Sequence, residues 1–174
     1  MSDKNYLSFA DVSRKTIMDT TLVPPDDTYA DTLKLSHSDF IEVIRCDIYG
    51  GHEDCIDINR DCVDVLVKDC RLIPDGKYAV TIKGGSCMVH LQNVVIDVHG
   101  SETDIDIGNW SDQSGFLTTG VVLENVTMAD GSPVRCRVLW GEKPMVVGGN
   151  VKVTVVPKVL VWGWRVLRKL GVVK

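Results

Sequence analysis

The sequence predicts an all-β chain wound as a single parallel β-helix, a solenoid of about five coils. Three observations carry that expectation. One short pattern returns along the chain as Ile44-Arg45-Cys46-Asp47-Ile48, Lys68-Asp69-Cys70-Arg71-Leu72, Gln92-Asn93-Val94-Val95-Ile96, Glu124-Asn125-Val126-Thr127-Met128 and Gly149-Asn150-Val151-Lys152-Val153. Its central residue falls at 46, 70, 94, 126 and 151, in steps of 24, 24, 32 and 25. A period in the twenties belongs to solenoids with one coil per repeat. Each copy alternates as a strand does, and turn residues recur between copies at Gly50-Gly51, Pro74-Asp75-Gly76, Gly84-Gly85, Asp130-Gly131 and Gly148-Gly149.

Taken in order, residues 1–31 read as an N-terminal capping segment. Leu7, Phe9, Val12, Ile17 and Met18, with Arg14 and Lys15 between them, fit a short amphipathic helix loosely, and Pro24-Pro25 ends it. Residues 32–156 read as the β-helix, with two strands per coil. The first series runs Leu33/Leu35, Ile56/Ile58, Val80/Ile82, Ile105/Ile107 and Val134/Cys136/Val138. The second runs Val43/Ile48, Val65–Leu72, Val89–Ile96, Val121–Met128 and Val146–Val153. Asn93, Asn125 and Asn150, preceded by Asp69, are expected to stack at a tight inward corner, where side-chain amides satisfy one another and the turn backbone. Cys46 and Cys70 are expected to stack in the core as small apolar residues. Residues 157–174 hold Trp162 and Trp164 among basic residues. They read as a closing helix, a contact with a neighbouring subunit, or a membrane-surface segment.

Charge narrows the function classes. The net charge is −5, yet residues 151–174 carry six basic residues and no acid, which leaves the first 150 with thirteen basic and twenty-four acidic residues. An acidic body repels phosphate backbones, so nucleic acid is not an expected partner. The six cysteines form no CxxC pair, so no metal site is expected from them. No secretory signal and no uninterrupted apolar run of about 18 residues is visible, so the expected place of synthesis is the cytoplasm. There is no GxSxG, P-loop or dinucleotide fingerprint, and the four histidines read as surface or turn residues rather than as bases.

The coil period, the asparagine series and the segments Glu53-Asp54-Cys55-Ile56-Asp57-Ile58-Asn59-Arg60 and Asp104-Ile105-Asp106-Ile107-Gly108-Asn109-Trp110 resemble the right-handed parallel β-helix of the pectate-lyase-like superfamily, including small bacterial and phage-borne members. The resemblance covers about residues 32–156. It implies a polysaccharide along the outer face of the first strand series. Asp57 and Asp106 would be the acids and Lys83 or Arg137 the base, with Glu53, Asp54, Asn59, Arg60, Asn109, Trp110 and Arg135 as substrate contacts. Lyases of this kind hold calcium between stacked acids. Here Asp57 and Asp106 stand two coils apart, roughly 9–10 Å, and calcium wants oxygens at about 2.3–2.6 Å, so calcium is disfavoured and no cofactor is expected. An inverting hydrolase, with carboxyls roughly 6.5–9.5 Å apart, fits that spacing better. The plainer alternative is a ladder of alternating charge, Asp57–Lys83–Asp106–Arg135, that avoids like-charge stacking. The leading expectation is a non-enzymatic structural or glycan-binding module of phage tail or virion-associated type, with a lyase or hydrolase as the alternative. Leu66, Met88, His90, Val122, Met145 and Val147 lie on the outer side of the second series. A face so apolar is expected to be an oligomer interface, and the resemblance points to a homotrimer.

Overall fold

The computed structural model describes residues 7–24, 31–108 and 116–157. It is a parallel β-helix of five complete three-strand coils, a sixth with two strands, and the first strand of a seventh. The first coil is β1 (Leu7–Ala10), β2 (Ser13–Met18) and β3 (Thr21–Leu22), and the second is β4 (Leu33–Ser36), β5 (Asp39–Ile44) and β6 (Asp47–Tyr49). Next come β7 (Asp54–Asn59), β8 (Val63–Lys68) and β9 (Arg71–Ile73), then β10 (Tyr78–Ile82), β11 (Cys87–Gln92) and β12 (Val95–Ile96). The fifth coil is β13 (Ile105–Ile107), β14 (Val122–Glu124) and β15 (Thr127–Met128); β16 (Val134–Val138), β17 (Met145–Val147) and β18 (Val151–Val155) close the described chain. All pairings are parallel, in sheets ordered β1-β4-β7-β10-β13-β16-β18, β2-β5-β8-β11-β14-β17 and β3-β6-β9-β12-β15. No helix occurs among the described residues.

The core is the stack of inward columns that alternation supplies. In the first sheet Leu33, Ile56, Val80, Ile105 and Cys136 lie in register, and so do Leu35, Ile58, Ile82, Ile107 and Val138. Ile48, Leu72, Ile96 and Met128 form the matching column of the third sheet. Each such side chain contributes about 1.5–3 kcal/mol through burial. Cys46 and Cys70 are buried neighbours, as expected, with the Cys46 amide 3.4 Å from the Cys70 sulfur.

Four expectations are corrected. Residues 7–22 form strands of a coil in the common register, not an amphipathic helix. Leu7, Phe9 and Ile17 fit strand alternation as well as a helix, and pairing with β4 and β5 decides between them. Each coil has three strands because the expected second strand breaks at Asp19, Arg45, Asp69, Asn93 and Asn125, whose φ lies at 51–53°. Asp and Asn accept this left-handed conformation more readily than other non-glycine residues. That corner points outward, so Asp69, Asn93 and Asn125 form an exposed ladder, linked by Asn93 Nδ2 to Asp69 Oδ1 (2.8 Å) and Asn125 Nδ2 to Asn93 Oδ1 (3.1 Å). Asn150 is not part of it. Glu124 pairs with Val147, which places Gly148 next to Asn125, and Asn150 instead donates to the Gly131 carbonyl. The fifth copy of the pattern is thus a strand of the first sheet, where Val151 pairs with Val134. Gly148 and Gly149, with φ of 67° and 71°, let the chain turn early.

Candidate functional site

The outer face of the first sheet gathers most of the residues singled out from the sequence. Lys34, Asp57, Thr81, Asp106 and Arg137 lie in one register column, one per coil from the second to the sixth. Thr81 therefore stands between the two acids, where the ladder of alternating charge put Lys83, and the partner beyond Asp106 is Arg137 instead of Arg135. The face is not an open ridge, since Asp57 is 1% exposed and Asp106 0%.

Strict alternation slips in two of these strands. Cys55 and Ile56 both enter the core, as do Ala79 and Val80, whose amides both donate to the Asp104 carbonyl (2.8 and 3.0 Å). An extra residue of this kind bends the strand and re-aims its neighbours. Asp54 and Tyr78 thereby join the outer face. Sequence reasoning did not find Tyr78, Asp31 or Lys34, although Lys34 lies one coil before Asp57 and period counting alone reaches it.

Each acid is held by cations from this chain. Lys83 Nζ lies 3.0 Å from Asp57 Oδ1 and Lys34 Nζ 3.2 Å from Oδ2. Asn59 Nδ2 donates to Asp57 Oδ2 (2.7 Å), and its own Oδ1 accepts from the Ser36 hydroxyl (2.8 Å). Lys34 also pairs with Asp31 at 2.8 Å. Two coils on, Arg137 Nε meets Asp106 Oδ1 at 2.8 Å. Its Nη2 donates to the Tyr78 hydroxyl (3.0 Å), which donates in turn to Glu102 (2.6 Å).

Burial sets the electrostatics here. It pushes the Asp54 carboxyl up to about 8, helped by the like charges of Asp31 and Asp57 and opposed by Lys83. Burial also raises Asp31 and Asp106, against the pull of Lys34 on the first and of Arg137 on the second. An ammonium group stands at each oxygen of Asp57, and Thr81 separates Asp57 from Asp106. The donor set therefore does not fit calcium. Among the described residues no group of three or more His, Cys, Asp or Glu side chains is placed to hold a metal ion.

The remaining candidates lie apart from this cluster. Glu53 pairs with Lys77 at 3.4 Å. Arg60 is exposed at the neighbouring corner with φ 53°, and Arg135 pairs with the fully buried Asp104 (3.0 Å). Asn109, Trp110 and the segment 158–174 lie outside the described residues.

A second feature is open. A groove of about 730 Å³ runs along the exposed corner between the second and third sheets, past Asp19, Arg45, Asp69, Arg71, Asn93 and Val95. Most of its lining side chains are polar, interspersed with Val95, Cys46 and Cys70, and its two arginines are fixed by neighbouring acids. Arg45 forks onto Asp19 (2.6 and 2.7 Å), and Arg71 forks onto Asp97 (3.1 and 2.6 Å). The column of left-handed corner residues runs through this surface, with Asp19, Arg45, Asp69 and Asn93 contributing one side chain per coil.

The outer face of the second sheet is apolar toward its C-terminal end. Leu66, His90, Val122 and Met145 share one column, and Val147 pairs with Glu124 beside them. Met88 is 59% and Met145 58% exposed. His90 Nε2 lies 2.9 Å from Glu124 Oε2. Among the described residues no helix is long and apolar enough to cross a membrane.

No protein-family model matches this chain, and no curated protein matches it.

Proposed function

We propose that this chain is a structural β-helix module that binds a glycan without cleaving it, of the pectate-lyase-like type found in phage tails and other virion-associated adhesins. The observation that carries the reading is the groove at the Asp/Asn corner. It crosses four consecutive coils at Asp19, Arg45, Asp69 and Asn93, roughly 14 Å at one strand spacing per coil. Hydroxyl groups of a sugar chain find carboxylate, amide and guanidinium partners there, already oriented by ion pairs, so little side-chain entropy is lost on binding. The polar face of the first sheet supports the scaffold part of the reading, because its acids are buried and paired.

The test is a panel of acidic and neutral polysaccharides, followed both for binding and for new reducing ends or unsaturated products. Saturable binding without cleavage, weakened about tenfold or more by Arg71→Ala together with Asn93→Ala, is the expected result. Chain cleavage abolished by Asp57→Asn supports the lyase or hydrolase instead, and binding untouched by the groove variants refutes the location. The exposed Met88, Met145 and Val147 face fits self-association, a homotrimer on this reading. Light scattering on the wild type should give a multiple of 19.2 kDa, reduced to the monomer by Met145→Lys with Val147→Lys.

A further inference from the structure

The loop that follows β12 lies beside the loop that precedes β16, one coil further on. Together they bring three side chains into line. His99 Nδ1 is 3.0 Å from both carboxylate oxygens of Asp104. On the other side of the ring, His99 Nε2 is 3.1 Å from the Ser132 hydroxyl. Asp104 is fully buried and held from three further directions, by the Gly100 amide (3.1 Å), the Arg135 amide (2.6 Å) and the Arg135 guanidinium (3.0 Å). The Arg135 guanidinium also donates to the Gly100 carbonyl, which ties the His99 loop to β16. His99 is exposed and Ser132 half-buried, so the pair lies at the protein surface.

From this arrangement we infer that Ser132, His99 and Asp104 form a nucleophile–base–orienter set able to cleave small carboxylic esters. The geometry is that of an activated hydroxyl: nucleophile and base within hydrogen-bond reach, and the base oriented by a third, buried group. Asp104 fixes the imidazole with its proton on Nδ1 and leaves Nε2 free to accept. Ser132 Oγ attacks the ester carbonyl carbon while its proton passes to His99 Nε2. The carbon–oxygen bond to the alcohol then breaks, and that proton leaves with the alcohol. Water, activated by the same imidazole, releases the acid and restores Ser132.

Asp130 sets the resting state. Its Oδ1 accepts the Ser132 hydroxyl at 2.6 Å and the Ser132 amide at 2.9 Å, so it competes with His99 for the single hydroxyl proton. The set therefore rests with the nucleophile partly withheld, and removing Asp130 frees it. Sequence reasoning missed the group because Ser132 lies 33 residues from His99 and only the stacking of adjacent coils joins them. The inference is independent of the glycan groove, which lies at another corner.

The experiment treats the full chain with a fluorophosphonate probe, maps the labelled residue by mass spectrometry, and follows p-nitrophenyl acetate hydrolysis alongside. Labelling at Ser132 is expected, lost in Ser132→Ala and slowed on the order of 10²-fold in His99→Asn. Asp130→Ala should label at least as fast as the wild type. All three positions lie in loops, and far-UV circular dichroism confirms that each variant keeps the wild-type fold. Absence of labelling, labelling that survives Ser132→Ala, labelling at the wild-type rate in His99→Asn, or slower labelling in Asp130→Ala overturns the assignment.

Discussion

Asp54 gives the sharpest thermodynamic test of the buried polar face. Its carboxyl has an ordinary value of 3.8 when the chain is unfolded and is pushed up to about 8 in the fold, chiefly by burial. Because the folded value is the higher one, the folded chain holds this proton more tightly. The stabilisation is complete below pH 3.8 and is lost as pH rises through about 8. Between pH 5 and pH 9 the unfolded chain is ionised throughout at this position, while the folded chain gives up its proton only near the upper end. At about 1.4 kcal/mol per tenfold in proton affinity, that span is worth about 4 kcal/mol. Asp54→Asn keeps the shape and removes the titration. Urea unfolding of both proteins at pH 5, 7 and 9, followed by circular dichroism, should show the wild type losing about 4 kcal/mol more than the variant over that range. Asp31 and Asp106 titrate in both proteins and largely cancel in the difference. Parallel pH dependences refute the argument that burial governs Asp54.

Two further outcomes follow from the same face and its edges. Arg137→Met strands Asp106 without its 2.8 Å partner and should cost about 3 kcal/mol at neutral pH, less in acid where Asp106 accepts a proton, as read by urea unfolding. Gly108→Ala should cost about 2 kcal/mol or more by the same measurement. Its φ is +69°, and the added methyl would collide with the backbone of Trp140 in the next coil.

Much of the first sheet is legible in the amino-acid order. Leu33/Leu35 through Val134/Cys136/Val138 pair as alternation and period imply, since a one-residue slip would turn every apolar side chain outward. Counting fails where the period changes. The copy at 149–153 matches the pattern by composition, yet the left-handed Gly148 and Gly149 at its start shorten the coil and send Val151 to the first sheet. The helix reading of residues 7–18 fails for a related reason. A short amphipathic stretch carries either periodicity, and only the neighbouring coil chooses.

The site is less legible than the fold. Asp57, Asp106, Lys83 and Arg137 stand out as polar residues on the outer side of the first strand series, but nothing in their spacing shows their burial and mutual pairing. Cys55 with Ile56 and Ala79 with Val80 break the alternation without any local signal, and they bring Asp54 and Tyr78 onto that face. That the chain winds, and which side of most strands is apolar, can be read from the amino-acid order alone, because these depend on spacings of two residues and of one coil. Which polar groups meet is settled only when the coils stack. Neighbours such as His99 and Ser132 are brought together by loop stacking between coils, and no regular spacing along the chain records that.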